Sequence, residues 1–85
     1  MSSQKIVLIT GASSGIGRAT AAELVRRGHK VFGTSRSPQN VQPIEGVTFL
    51  PMDVTNDESV RNGVKSVLEA AGRIDVLVNL SLIHI

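Results

Sequence analysis

The segment TGASSGIG, from Thr10 to Gly17, has the residue types and the glycine spacing of an anion-binding loop. Gly11 permits a sharp exit from a preceding strand, and Gly15 lets a phosphate approach the backbone without meeting a Cβ atom. Gly17 lets a following helix pack closely, and the free N–H groups at the start of that helix favour a pyrophosphate. No Gly-Lys-Ser/Thr follows, which excludes a Walker loop. The alternative interpretation is a glycine-rich turn that only connects a strand to a helix.

The loop lies in a chain that alternates between strand and helix patterns. Short apolar runs rich in β-branched residues predict four buried strands, at Lys5–Thr10, Lys30–Ser35, Val47–Met52 and Asp75–Val78. Helical spacing predicts one helix from Ile16 to Gly28, and another from a Thr55–Glu58 capping box to Gly72. This succession predicts an α/β fold, a Rossmann-like doubly wound parallel sheet with strand order 3-2-1-4. Such sheets bind ligands at the carboxyl ends of their strands.

The spacing of apolar residues also predicts which face each helix turns towards the sheet. The first helix is expected to bury Ala19, Ala22 or Leu24, and Val25, with Arg18 pointing outwards. The second helix is expected to bury Val60, Val64, Val67 and Leu68.

The composition excludes several classes of protein. The 85 residues include no cysteine, so neither a disulfide nor a thiolate metal site can form, and His29, with no Cys, His or carboxylate at ligand spacing, is expected at the surface. Nine Lys and Arg residues against seven Asp and Glu give a net charge of +2, and their scatter argues against a nucleic-acid partner. The longest apolar run is far below the roughly 20 residues that cross a bilayer. We therefore expect a cytoplasmic protein with no membrane partner.

Three motifs in register give a resemblance to a known family. TGASSGIG, with three residues between its first two glycines, resembles the cofactor loop of the short-chain dehydrogenase/reductase family. Asp53 and Val54 resemble the family's adenine-contacting Asp-Val pair, and DVLVN, at 75–79, resembles the strand that leads into its Asn-Asn-Ala-Gly motif. The resemblance implies that residues 1–79 are the N-terminal portion of a single NAD(P)-binding domain. The implied enzyme interconverts a small-molecule carbonyl and an alcohol by hydride transfer, as a homo-oligomer.

The end of the second predicted strand indicates which nicotinamide cofactor is favoured. An acidic side chain there would accept hydrogen bonds from the adenosine ribose and repel a 2′-phosphate. The position is instead occupied by Ser35, and Arg36 follows it. The guanidinium of Arg36 can pair with a phosphate through two parallel hydrogen bonds, and the hydroxyls of Ser35 and Ser37 can donate hydrogen bonds beside it. These residues favour NADP(H) over NAD(H). The alternative is that Arg36 is a solvated loop charge.

Two of the predicted contacts have structural alternatives. Asp53 is implied to bind the adenine amino group, but an Asp before Thr55 can also cap a turn or the next helix. Asn79 can contact the cofactor or satisfy backbone groups at a strand end. In the loop, the hydroxyls of Ser13 and Ser14 can donate further hydrogen bonds to a ligand. The predicted cofactor-binding residues are Thr10, Gly11, Ser13, Ser14, Gly15, Ile16, Gly17, Ser35, Arg36, Asp53, Val54 and Asn79.

The family's catalytic residues are not found in this chain. The resemblance implies a Ser, and a Tyr and a Lys four residues apart, all beyond the fourth strand, whereas the chain contains no tyrosine. Without that phenol no acid or base exchanges a proton with the carbinol oxygen. We expect the 85 residues by themselves to be inactive.

The sequence departs from the family pattern at Leu80, where LSLIHI replaces Asn-Ala-Gly. The same hexapeptide is the translation of a transposon-end adapter used in preparing DNA libraries. Residues 80–85 are therefore predicted to be a non-native tail, with the protein continuing past Asn79. A chance apolar strand end is the alternative.

Two further functions compete with an oxidoreductase. A non-catalytic NAD(P)-binding regulatory module of the same fold would need the loop but not the Ser, Tyr and Lys. A stand-alone structural miniprotein is disfavoured, because the chain keeps a costly glycine loop and ends on an apolar strand that would be an exposed edge.

Overall fold

The computed structural model describes residues 4–12 and 15–80 and shows one parallel sheet with a helix against each face. The elements in chain order are strand β1 (Ile6–Thr10), helix α1 (Gly15–Arg26), strand β2 (Lys30–Ser35), a short 3-10 turn (Pro38–Asn40), strand β3 (Val47–Pro51), helix α2 (Asp57–Ala71) and strand β4 (Val76–Asn79). The strands pair in parallel in the order β3-β2-β1-β4. The predicted α/β fold, its Rossmann-like sheet and its strand order are confirmed.

β1 lies between β2 and β4 in the sheet and is buried along its whole length. Successive side chains of a strand point to opposite faces, so β1 supplies two separate apolar clusters. One cluster joins Ile6 and Leu8 to Val67 of α2. The other joins Val7 and Ile9 to residues of α1. Each of these fully buried side chains contributes about 1.5–3 kcal/mol of burial free energy, which fixes the two helices on opposite faces of the sheet.

The inward face of α1 differs from the predicted face. The residues that pack towards the sheet are Gly17, Ala21, Leu24 and Val25. Ala19 is exposed, so the prediction was wrong for it, whereas of the alternatives Ala22 and Leu24 it is Leu24 that packs inwards and Ala22 that is exposed. The close approach of Gly17 to the preceding turn sets the rotation of the helix. Residues four, seven and eight positions later then follow it inwards.

The start of α2 also differs from the prediction. Asn56 is the N-cap, and its side-chain oxygen accepts a hydrogen bond from Ser59 N at 2.9 Å. The predicted Thr55–Glu58 capping box is wrong, because the backbone N–H and the hydroxyl of Thr55 both donate to Asp53 Oδ1, at 3.0 and 2.6 Å. The helix therefore begins one residue later than the pattern indicated.

The remainder of α2 follows the pattern with one exception. Val60, Val64 and Val67 pack against the sheet, whereas Leu68 is 44% exposed and was wrongly assigned to that face. Gly72 ends the helix in the left-handed conformation, at φ 84°, and its N–H donates to Leu68 O at 2.8 Å. A glycine adopts this φ at no steric cost, which explains the predicted helix end.

Asp75 joins β1 to β4 at their amino ends. Its Oδ2 atom accepts hydrogen bonds from Ile6 N at 2.7 Å and from Arg73 Nε at 2.9 Å, and its own N–H donates to Ile6 O at 2.8 Å. Asp75 thus immediately precedes β4 instead of starting it. The backbone N–H of Ile6, and then the guanidinium of Arg73, hold the pKa of Asp75 below its ordinary value of 3.8.

We expect this carboxylate clamp to stabilise the protein at neutral pH and to be lost in acid. Because the folded-state pKa is depressed, the stabilisation is fully present above the unfolded-state pKa and disappears as the pH falls through the folded-state value. Asp75→Asn should lower the thermal unfolding midpoint at neutral pH, and the loss should be smaller at an acid pH below 3.8, where the wild-type carboxyl begins to be protonated.

Circular dichroism of both proteins at the two pH values measures this difference. Glu69→Gln, which removes an exposed carboxylate from α2, is the matched control and should change neither midpoint. Equal losses for Asp75→Asn at both pH values would show that the charge of Asp75 contributes nothing.

Candidate functional site

Residues from all four strands meet at the carboxyl edge of the sheet. The pairing of β1 places Thr10 opposite Thr34 of β2 on one side and opposite Asn79 of β4 on the other. Ser35 pairs with Pro51 at the end of β3, two residues before Asp53. The parallel arrangement thus gathers the predicted residues at one edge, although they are far apart in sequence.

The glycines of the loop have different steric surroundings. Gly11 has a φ of 78°, which makes the turn out of β1. A Cβ atom on Gly17 would lie 2.4 Å from Gly11 O and 2.7 Å from Ala12 Cα, so the helix start packs directly on the backbone of the turn. Among the described residues, no atom outside the chain neighbours and own helix of Gly15 would lie within 4 Å of a Cβ atom on it. Open space therefore borders the second glycine, while the third is packed against backbone.

The first turn of α1 suits an anion. It contains no acidic residue, so no side-chain charge offsets the positive end of the helix dipole. Ile16 is 73% exposed there and places apolar surface beside the helix start. Ser13 and Ser14 lie outside the described residues, and their role as donors stays a prediction.

A cavity of about 420 Å³ opens beside the end of β2. The residues that line it are Arg18, Ser35, Ser37, Asn40, Val41 and Gln42. None of these six residues is acidic. Ser35 Oγ accepts a hydrogen bond from Ser37 N at 3.2 Å, and a hydroxyl that accepts can still donate its own hydrogen. The cavity therefore combines hydroxyl donors with the positive charge of Arg18.

Sequence reasoning missed the part that Arg18 plays, because its position in the helical pattern indicated a solvated residue. The structure shows Arg18 half-buried, with Nη1 donating to Gln42 O at 2.8 Å. These two residues are 24 positions apart, and nothing in the local pattern indicates their contact. The only available signal was that Arg18 directly follows the last glycine of the loop.

Asp53 is held by the turn that follows β3. Its Oδ1 atom accepts both hydrogen bonds from Thr55, and these bonds, helped more weakly by the positive charge of Arg36, lower its pKa. Asp53 is therefore an ionised acceptor at neutral pH, and the next residue, Val54, is 42% exposed. The turn-capping role that the sequence allowed is present, and a contact of Asp53 with adenine stays a prediction.

Asn79 ties the ends of β1 and β4 together. Thr10 is buried, and its hydroxyl donates to Asn79 Oδ1 at 2.9 Å, while Leu80 N donates to Thr10 O at 3.1 Å. The strand-end role of Asn79 is thus realised through a side chain as well as through backbone pairing. Contact of Thr10 or Asn79 with a cofactor stays a prediction. Residues 81–85 lie outside the described part, so the non-native tail at 80–85 also remains a prediction.

Other kinds of site receive no support from the part of the chain that the structure describes. In residues 4–12 and 15–80 no three potential ligands of the His, Cys, Asp and Glu types gather into a metal-binding group. Over the same residues, none of the helices has the length and apolar character needed to span a bilayer. His29 is half-buried, and its Nδ1 atom accepts a hydrogen bond from Lys5 N at 3.1 Å.

Sequence comparison finds similarity over almost the whole chain. A family model described as short chain dehydrogenase matches residues 5–81. The 3-ketodihydrosphingosine reductase of Bacteroides thetaiotaomicron is 51% identical over 75 residues, which cover 88% of the chain and 27% of the relative. The 3-oxoacyl-(acyl-carrier-protein) reductase of Vibrio harveyi is 44% identical over 80 residues, covering 88% and 33%. The NADPH-dependent pterin aldehyde reductase of Arabidopsis thaliana is 37% identical over 82 residues, covering 88% and 34%.

Solved structures show the same relationship in three dimensions. A short-chain dehydrogenase from Streptomyces avermitilis has a TM-score of 0.83 and 39% identity, covering 93% of the chain and 31% of that protein. An NADH-dependent reductase complexed with NAD has a TM-score of 0.76 and 32% identity, covering 89% and 35%. The chain spans about a third of the length of these proteins and of the curated relatives.

Proposed function

The chain belongs to the short-chain dehydrogenase family, and we propose that it is the cofactor-binding portion of an NADP(H)-dependent oxidoreductase that interconverts a carbonyl and an alcohol. The observation that carries this proposal is the cavity beside β2, which is lined by the hydroxyls of Ser35 and Ser37 and by no carboxylate, with the exposed Arg36 between these two serines in the chain. Arg18, which also lines this cavity, directly follows Gly17, the last glycine of the loop. A dinucleotide with an additional phosphate on its adenosine ribose fits this combination of donors and positive charge.

Residues of this chain favour NADP(H), whereas the names of its relatives do not distinguish the two nicotinamide cofactors. One relative is named as NADPH-dependent, whereas one structural neighbour is named as NADH-dependent. In this chain Ser35 occupies the position at which a carboxylate would repel a 2′-phosphate. Arg36 follows it and is exposed, so its guanidinium is accessible for a bidentate pairing with phosphate.

Each remaining predicted residue has a definite task towards the cofactor. The backbone N–H groups between Gly11 and Gly17, with the hydroxyls of Ser13 and Ser14, bind the pyrophosphate. Asp53, ionised because its pKa is lowered, accepts a hydrogen bond from the adenine amino group beside the apolar side chain of Val54. Thr10 and Asn79 hold the neighbouring strand ends together where the loop begins, and Ile16 offers apolar surface at the helix start. The bound cofactor supplies the hydride.

Proton transfer is assigned to residues outside these 85, because the chain contains no tyrosine. On this proposal the chain binds the cofactor but does not turn over a substrate by itself. The full-length enzyme acts in the cytoplasm as a homo-oligomer on a small-molecule carbonyl compound. Two of the relatives are named as reductases of keto or oxo compounds, and this supports a ketone substrate.

The test is to assay the full-length protein that contains this chain with NADPH and with NADH against a panel of ketones and aldehydes. We expect kcat/KM for NADPH to exceed that for NADH by about tenfold or more, as one charge-assisted contact would produce. Tight NADPH binding without turnover of any carbonyl would instead indicate a regulatory module. A preference for NADH would overturn the cofactor assignment.

A further inference from the structure

The connection between β2 and β3, residues 36–46, contains Arg36 and Ser37, which are proposed to bind the 2′-phosphate. Short-range hydrogen bonds shape its first half: Ser37 N donates to Ser35 Oγ at 3.2 Å, and Asn40 N donates to Ser37 O at 2.9 Å. At its far end Ile44 packs against the apolar cluster under α1. Most of the connection is otherwise exposed. A segment of this kind loses conformational freedom when a ligand orders it, and this loss weakens binding.

Arg18 links the middle of this connection to α1. Its Nη1 atom donates to Gln42 O at 2.8 Å, across 24 residues of sequence. The same side chain lines the cavity together with Ser35 and Ser37. Arg18 lies one residue beyond Gly17, on the helix whose start is proposed to bind the pyrophosphate. This hydrogen bond thus ties the middle of the connection to the helix start, in addition to the packing of Ile44 at its far end.

We propose that Arg18 is a positioning residue for cofactor selection, acting through the connection that carries Arg36 and Ser37. The pyrophosphate and the 2′-phosphate belong to one ligand, so the protein must bind both at the same time. A connection that is already held at the correct distance from the helix start binds NADP(H) with a smaller ordering cost. NAD(H) lacks the 2′-phosphate and gains little from this pre-organisation. The inference rests on the proposed function, because it presupposes that Arg36 meets that phosphate.

The test compares Arg18→Met, Arg36→Met and the double variant in the full-length protein, by KM and kcat with each cofactor. Loss of one charge-assisted hydrogen bond should raise the KM for NADPH about tenfold in Arg18→Met, with kcat and the KM for NADH within about twofold of wild type. The double variant should be no worse than Arg36→Met by more than about twofold, because Arg18 acts through the same connection.

Two additional variants separate positioning from a general structural role. Arg18→Lys, which keeps a charged donor, should recover most of the lost NADPH affinity. Arg27→Met removes an exposed arginine of the same chain segment, one that pairs only with Glu23 at 2.8 Å among the described residues, and should change neither KM. Equal rises in KM for both cofactors in Arg18→Met, or effects of the two single substitutions that multiply, would overturn the inference.

The outcomes also separate this inference from the proposed function. If Arg36→Met weakens NADPH use and Arg18→Met does not, only the positioning role of Arg18 fails. If Arg36→Met itself leaves the KM for NADPH unchanged, the assignment of the 2′-phosphate contact fails and the inference fails with it. Urea unfolding of each variant confirms that the comparison is made between folded proteins.

Discussion

Replacing Gly17 by alanine is expected to destabilise the protein by about 3 kcal/mol or more, at the upper end of what overpacking costs. The added methyl would lie 2.4 Å from Gly11 O and 2.7 Å from Ala12 Cα. Both neighbours are backbone atoms, and Gly11 is already at φ 78°, so neither can move aside as the end of a flexible side chain would. A loss of this size is a large part of the 5–15 kcal/mol that typically stabilises a domain.

Gly15→Ala is the matched variant, with the opposite expectation for stability. In the part of the chain that the structure describes, no atom outside the chain neighbours and own helix of Gly15 lies within 4 Å of the added Cβ, and alanine is favoured over glycine in a helix by up to about 1 kcal/mol. Stability should therefore be retained while cofactor affinity falls, because the methyl fills the space through which a phosphate approaches. Urea unfolding and cofactor titration of both variants measure this contrast. A wild-type unfolding midpoint for Gly17→Ala, or wild-type NADPH binding by Gly15→Ala, would contradict the roles assigned to the two glycines.

The second large effect is expected when Ser35 is changed to Asp and Arg36 to Met in the full-length protein. The substitutions remove a charge-assisted pairing and add a repulsion, each worth on the order of 1.5–3 kcal/mol for a partly desolvated contact. The ratio of kcat/KM for NADPH to that for NADH should fall by roughly a hundredfold or more. Saturated turnover with NADH should change little, because the reacting nicotinamide is at the other end of the cofactor.

The control for this cofactor swap is Arg61→Met, which removes an exposed arginine from α2 and should leave the ratio unchanged. A wild-type protein that already prefers NADH would contradict the assignment. So would a double variant whose ratio stays within about twofold of wild type, since this corresponds to less than roughly 0.5 kcal/mol. In either case Arg36 is a solvated surface charge.

The overall fold was predictable because its determinants are local in the chain. Ile6–Thr10 is apolar or β-branched throughout and therefore reads as a strand that must be covered on both faces, and the structure buries all five of its residues. Gly28 and Gly72, at φ 90° and 84°, follow the ends of the two helices as predicted. Each of these signals depends on residues within a few positions of one another, so periodicity and glycine placement were sufficient.

Boundaries and helix faces were less predictable, since two local signals compete there. Thr55 has the residue type of a helix cap, yet Asp53 engages its hydroxyl at 2.6 Å, and Asn56 takes the cap instead. The face of α1 depends on the contact of Gly17 with the backbone of the preceding turn, and residue hydrophobicity does not encode this contact. Alanine is small enough to lie on either the buried or the exposed face of a helix, so Ala19 was as plausible a core residue as Ala21.

The kinds of group available at the site were predictable from the amino-acid sequence: a glycine loop after the first strand, Ser35 and Arg36 after the second, Asp53 after the third and Asn79 at the end of the fourth. How these groups are held depends on contacts between residues that are distant in the chain. Thr10 bonds to Asn79 across 69 residues, and Arg18 bonds to Gln42 across 24. Such contacts arise from strand order and helix rotation, which bring distant residues within 3 Å of each other, and no local periodicity encodes them.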